Sequence, residues 1–164
     1  MILGMTTLTF VHVALSLVGI ASGFVVLFGL IAAKRLDGWT AVFLTTTVAT
    51  SVTGFFFPYQ GFTPAIGVGI LSLVVLGLAI HARYIFHLAG AWRRIYVVTA
   101  VISQYLNVFV LVVQLFQKVP SLQAMAPTQS EPPFLVAQLI VLVLFVVLGI
   151  AGASKFRNAP LRAA

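Results

Sequence analysis

Five long apolar runs, separated by short turns that hold most of the charge, dominate this sequence. A helix that crosses a bilayer needs about 20 predominantly apolar residues, and each run is close to that length. The runs cover about residues 8–33, 39–57, 65–88, 95–117 and 134–153. We therefore predict an all-α fold, an integral membrane bundle of five transmembrane helices that forms one domain over residues 1–164.

The composition of the chain does not suit a surface that faces water. Only 7% of the residues are charged and 62% are hydrophobic, whereas soluble domains carry about 25% charged residues. The net charge of +7 would suggest nucleic-acid binding in a soluble protein. Here the basic residues stand in small groups at the ends of apolar runs, which is typical of topology determinants. We predict membrane lipid as a partner and no nucleic acid.

The distribution of lysine and arginine predicts the orientation of the chain. Five spans place the two termini on opposite sides of the membrane. Eight of the nine basic residues then share one side: Lys34, Arg35, Arg83, Arg93, Arg94, Lys155, Arg157 and Arg162. Because cytoplasmic loops are enriched in Lys and Arg, we predict a periplasmic N-terminus and a cytoplasmic C-terminus. Arg83 lies inside the end of the third run, and we expect its side chain to extend to the lipid headgroups.

The acidic and cysteine residues limit the chemistry of the chain. Its two acids, Asp37 and Glu131, fall on opposite sides of the predicted membrane. They can form neither the carboxyl pair of a glycosidase nor an oxygen-ligand cage for a hard cation. The sequence has no cysteine, and so no thiolate metal site and no cysteine nucleophile. We predict no catalytic residue and no metal site, and a non-enzymatic protein is favoured.

The histidines leave one cofactor open as an alternative. His81 and His87 lie near the inner end of the third run, whereas His12 lies near the outer end of the first. On a continuous helix, His81 and His87 would point about 120° apart, so they cannot form a metal pair of the i, i+4 kind. Haem b would therefore need an axial ligand from a second chain. The main expectation is no cofactor, with haem b on His81 or His87 as the alternative.

Two helix faces are predicted to form contacts. Gly19 and Gly23, with Ser16 on the same face, form a small-residue seam that lets another helix approach closely. A polar stripe on the fourth run has spacings of three and four residues: Gln104, Asn107, Leu111, Gln114 and Lys118. Such a stripe should point into the bundle or into an oligomer interface. We predict the seam and the stripe as contact surfaces for a second copy or a larger membrane complex.

A small polar cavity on the outer side is a second prediction for the same region. There His12 would meet Gln114, Lys118, Gln60 or Glu131, and the cavity would bind a polar or anionic ligand. Interhelical hydrogen bonding is the competing and favoured interpretation, at about 0.6 kcal/mol per pair. The candidate ligand residues are His12, Gln104, Asn107, Gln114 and Lys118.

Three stretches carry a resemblance to known proteins. They are KRLDGWT at 34–40, GFFFP at 54–58 and APTQSEPP at 126–133. With its spans and loops taken together, the chain resembles a group of short, uncharacterised bacterial multi-pass membrane proteins. The resemblance implies a bacterial inner-membrane location and transfers no functional residue.

The sequence favours a small multi-pass protein without enzymatic activity, which packs with itself or a larger complex and binds a small ligand between helices. One alternative is a haem b- or quinone-linked redox protein that uses His81 or His87. The other is an oligomeric transporter or channel with Gln104, Asn107 and Gln114 along its path.

Overall fold

The fold is known from a computed structural model, which describes residues 6–58, 61 and 63–156. All regular structure in these residues is helical. The helices are α1 (Thr7–Ile31), α2 (Asp37–Gly54), α3 (Pro64–Ile80), α4 (Trp92–Lys118), α5 (Pro120–Met125) and α6 (Pro132–Phe156). A π-helical turn, His81–Ile85, continues α3. Gln60 of the predicted outer cavity, and Arg157 and Arg162 of the predicted basic side, lie outside the described residues.

In the described part of the chain, four helices are long and apolar enough to cross a membrane: α1, α3 with its π-helical turn, α4 and α6. The remaining predicted span corresponds to α2, which is not among these four. Its 18 residues include six threonines, which lower its hydropathy. At 1.5 Å per residue α2 is about 27 Å long, close to the hydrocarbon thickness of about 30 Å.

The helices pack around α4, which contacts α1, α3 and α6. In addition, α1 contacts α2 and α6, and α2 contacts α3. The main core lies between these helices and includes Phe43, Leu76, Tyr96, Ala100 and Phe145. The chain thus forms one helical bundle in which α4 has three long neighbours and α6 has two.

Local sequence explains where two of the helices begin. Thr6 precedes α1, and its hydroxyl accepts a hydrogen bond from the Thr9 N–H at 3.2 Å. Thr63 precedes α3 in the same way and accepts from the Ile66 N–H at 3.3 Å. Pro64 then occupies the first helical position, where its missing N–H leaves no hydrogen bond unmade.

The connection from α4 to α6 is folded onto the bundle. It contains α5, and the buried Ala126 packs with Phe116 and Phe134. Glu131 closes the connection by accepting hydrogen bonds from the Thr128 hydroxyl at 2.8 Å and from backbone N–H groups of Thr128 and Ser130. Desolvation raises the pKa of Glu131, but these hydrogen bonds outweigh it and the pKa lies below its ordinary value.

Candidate functional site

The fully buried Gln104 connects α4 to α1. Its amide Nε2 donates a hydrogen bond of 2.8 Å to the carbonyl oxygen of Ile20. Gly23 leaves the space for this amide, because a Cβ atom there would lie 2.9 Å from Gln104 Nε2 and closer still to its Cδ and Oε1. The glycine on α1 and the glutamine on α4 therefore form one interlocked contact.

Asn107, one turn further along α4, extends the contact to α2. Its Nδ2 donates to the Thr47 hydroxyl at 3.2 Å and lies 3.5 Å from Gln104 Oε1. Thr47 in turn packs on α1, because a Cβ atom at Gly19 would lie 3.2 Å from its Oγ1. The part of the stripe formed by Gln104 and Asn107 points into the bundle, which is one of the two predicted alternatives. Contact of the seam and the stripe with a second copy or a larger complex stays a prediction.

The other predicted ligand residues do not join this contact. Gln114 and Lys118 are exposed near the end of α4. His12 has a different partner from those predicted, since its Nδ1 lies 2.9 Å from the Thr53 hydroxyl of α2. The His12 ring also meets the Phe57 ring edge-on at 5.2 Å. The structure therefore places His12 between α1 and α2.

A buried arginine lies at the other end of the bundle. Arg83, in the π-helical turn, is 1% exposed and forms an ion pair with Asp37 at the start of α2. One of its N–H groups also donates to the Arg35 carbonyl oxygen at 3.0 Å. The guanidinium carbon lies 5.1 Å from the centre of the Tyr96 ring, within cation–π range. Arg83 therefore links α2, α3 and α4.

The prediction that Arg83 extends to the headgroups is wrong. The π-helical turn carries its side chain into the bundle, where Asp37 and the Tyr96 ring stabilise the charge. A buried charge in a membrane protein generally has such a partner. The sequence contained a signal for this pair, because Asp37 is the acid predicted on the same side of the membrane as Arg83.

His81 and His87 have exposed side chains. His81 Nδ1 lies 2.8 Å from the Gly77 carbonyl oxygen, one turn back on α3. His87 follows the end of the helix in a left-handed conformation with φ 48°. The predicted angle of about 120° assumed a continuous helix, whereas the helix ends at Ile85 and His87 lies beyond it. The described residues contain no group of three or more acidic or histidine side chains placed to hold a metal ion.

Open space lies between α4 and α6. A cavity of about 530 Å³ at the start of α4 is lined by Gly90, Ala91, Arg93, Arg94, Val97 and Ala153. A groove of about 300 Å³ with an apolar lining runs along both helices, and its lining includes Val98, Ile102, Tyr105, Phe145, Gly149 and Ala153. We call the two together the α4–α6 site. Ala153 borders both parts, so a basic cavity and an apolar groove meet at one residue.

Sequence reasoning missed the α4–α6 site. Arg93 and Arg94 were predicted to be topology determinants, and nothing in the sequence indicated that α6 packs beside α4. The chain matches no protein-family model, no curated protein and no solved structure. Within the described residues, Gln104, Asn107 and His12 make hydrogen bonds between helices. The α4–α6 site instead combines a cavity large enough for a small molecule with arginine side chains in its lining.

Proposed function

We propose that this chain is a non-enzymatic, multi-pass protein of the bacterial inner membrane that binds a small amphipathic ligand between α4 and α6. The observation that carries the proposal is the α4–α6 site, in which an arginine-lined cavity joins an apolar groove at Ala153. Sites that bind small molecules are typically concave and largely apolar, with a few polar groups that orient the ligand. In the α4–α6 site the groove provides the apolar surface and the cavity provides the polar groups.

The proposal includes α2 as a fifth membrane span. Its length and its contacts with α1 and α3 support this, since it packs along helices that are apolar enough to span. The hydroxyls of Thr46, Ser51 and Thr53 are tolerable in lipid because they bond to backbone carbonyls within the helix. The Thr46 hydroxyl donates to the Val42 oxygen at 2.7 Å, and the Thr53 hydroxyl donates to the Ala49 oxygen at 2.8 Å.

Five spans give the orientation in which the termini lie on opposite sides. Eight of the nine basic residues then lie on the side of the C-terminus, and Lys118 lies on the other. The positive-inside bias assigns the larger group to the cytoplasm. The N-terminus is then periplasmic and the C-terminus cytoplasmic.

Single-cysteine labelling tests the five spans and their orientation, because the natural sequence has no cysteine. Gly38→Cys and Ala91→Cys should react only with a reagent that reaches the cytoplasm. Gln123→Cys, in α5, should react with an impermeant reagent added to intact cells. Labelling of positions 38 and 91 on different faces, or of both in the periplasm, would contradict the topology.

Native mass spectrometry of the protein in a mild detergent tests ligand binding and reports the number of copies in the assembly. The expected spectrum contains a retained amphipathic molecule of lipid-like mass. Val98→Trp places an indole in the groove and should abolish the adduct, whereas Val74→Trp on the exposed face of α3 should not. Equal retention by both variants would remove the groove as the binding site.

One contact favours a redox protein as a second candidate. A ligating histidine usually donates its other ring N–H to a carbonyl or carboxylate, and His81 Nδ1 lies 2.8 Å from the Gly77 oxygen. His81 Nε2 would then be the axial ligand of haem b, with the opposite ligand from a second copy. This candidate expects a Soret band that His81→Ala abolishes. A colourless preparation with full helicity would contradict it.

A further inference from the structure

We infer that the ligand of the α4–α6 site is an anionic phospholipid, with its phosphate in the cavity and one acyl chain in the groove. The inference rests on the proposed membrane function and names the ligand class for the same site. Two independent properties carry it: the charge of the cavity and the dimensions of the groove.

The cavity has a positive lining. Arg93 and Arg94 are two of its six described lining residues, and none of the six is acidic. The Arg94 side chain is exposed, and the Arg93 guanidinium lies 5.9 Å from the centre of the Phe156 ring, beside the end of α6. Guanidinium groups match phosphate oxygens in charge and geometry.

The groove has the length of one lipid leaflet. Its lining on α6 runs from Leu142 to Ala153, a rise of about 16 Å at 1.5 Å per residue. Half of the hydrocarbon core of a bilayer is about 15 Å. An acyl chain whose headgroup lies in the cavity would therefore follow the groove to about the middle of the membrane.

The cavity and the groove together favour one kind of occupant. A free anion could occupy the cavity but would leave the apolar groove unfilled, and a neutral hydrocarbon would do the reverse. A phospholipid with a net negative headgroup matches both parts.

The test is a competition between two lipids. The protein in mild detergent receives equal amounts of phosphatidylglycerol and phosphatidylcholine, and native mass spectrometry measures the one-lipid adducts. We expect phosphatidylglycerol to exceed phosphatidylcholine about fivefold or more, which is the factor that one basic group near an anionic surface contributes. Arg94→Gln should remove most of this preference. The matched control is Lys34→Gln. It removes one charge from another exposed residue among the eight basic residues on the side of the C-terminus, and it should change the preference for phosphatidylglycerol less than twofold.

The possible outcomes separate this inference from the proposed function. Equal retention of both lipids, with loss of both in Val98→Trp, would overturn the anionic preference and leave amphipathic binding intact. If no lipid adduct is lost in Val98→Trp, both this inference and the proposed function are overturned. Equal effects of Arg94→Gln and Lys34→Gln would overturn the inference in favour of general surface attraction. Displacement of phosphatidylglycerol by millimolar inorganic phosphate would overturn it in favour of a free-anion site. Circular dichroism checks that each variant retains its helicity.

Discussion

A methyl group added at Gly23 tests whether the α1–α4 contact stabilises the fold. The Cβ of Gly23→Ala would lie 2.9 Å from Gln104 Nε2 and closer to two other atoms of that amide. Nonpolar contacts are optimal at about 3.5–4.0 Å, so the Gln104 side chain has to move. Because Gln104 is fully buried, it has no solvent to move into.

The magnitude follows from three effects. Overpacking of a filled core costs about 1–3 kcal/mol. Loss of the bond from Gln104 to the Ile20 carbonyl removes about 0.6 kcal/mol, the average for membrane helices. The alanine itself favours a helix by about 1 kcal/mol over glycine. We expect Gly23→Ala to lower the free energy of unfolding by about 0.6–2.6 kcal/mol. Gly77→Ala, with no atom within 4 Å of its Cβ, should raise it by up to about 1 kcal/mol.

Reversible unfolding in mixed micelles, followed by circular dichroism, measures these differences. The decisive comparison uses Gln104→Ala as a second background, because that change removes the side chain that Gly23→Ala displaces. In this background Gly23→Ala should become stabilising, as at Gly77, and the double-mutant cycle should show coupling. The same destabilisation in both backgrounds would refute the contact between Gly23 and Gln104.

Three further variants test the remaining contacts. Asp37→Asn removes the charged partner of Arg83 and should lower the free energy of unfolding by about 3 kcal/mol. This is the lower end of the range for a buried charge that loses its partner, because the Asp37 carboxyl is 42% exposed. Arg35→Gln should lower it by at most about 1 kcal/mol, and equal effects of the two variants would contradict the burial of Arg83. Thr53→Val should lower stability by about 0.6 kcal/mol through loss of the bond to His12, whereas Thr45→Val at an exposed site of α2 should not. Because the folded pKa of Glu131 lies below its ordinary value, its hydrogen bonds stabilise the α5–α6 connection above about pH 4.5 and are lost as the pH falls through that lowered pKa. The protection of the Thr128 and Ser130 amides, measured as their exchange rate relative to the intrinsic rate at the same pH, should then fall. Glu131→Gln should show low protection already at neutral pH, and protection that does not change with pH would contradict this.

The helical elements could be predicted because apolar runs of about 20 residues have few other solutions in a membrane. The prediction was less accurate at the end of α3, where the run to residue 88 contains the π-helical turn and then His87 and Leu88 with φ 48° and 60°. Composition does not reveal such local backbone changes. The expectations for Arg83 and His87 assumed a regular helix through residue 88, and the structure departs from that helix at both residues.

The contacts between helices were harder to predict than the helices. The spacing of Gln104 and Asn107 indicates a shared face, but only the bundle shows that this face meets Gly23 and Thr47 of the same chain. Gln114 continues the same spacing but is exposed. This could not be predicted, because periodicity does not indicate where a helix extends beyond its neighbours. The α4–α6 site depends on two helices that are adjacent in space and separated in sequence by α5.

The contact between Gln104 and Gly23 also implies an order in which the helices assemble during synthesis. The amide and the Ile20 carbonyl that it binds are 84 positions apart, so at about 5–20 residues per second the ribosome needs about 4–17 s to deliver the second after the first. Thr46 and Thr47, which cover Gly19, arrive much sooner on the neighbouring helix. An α1–α2 hairpin can therefore form early in synthesis, whereas the contact between Gly23 and Gln104 can form only after α4 has been synthesised.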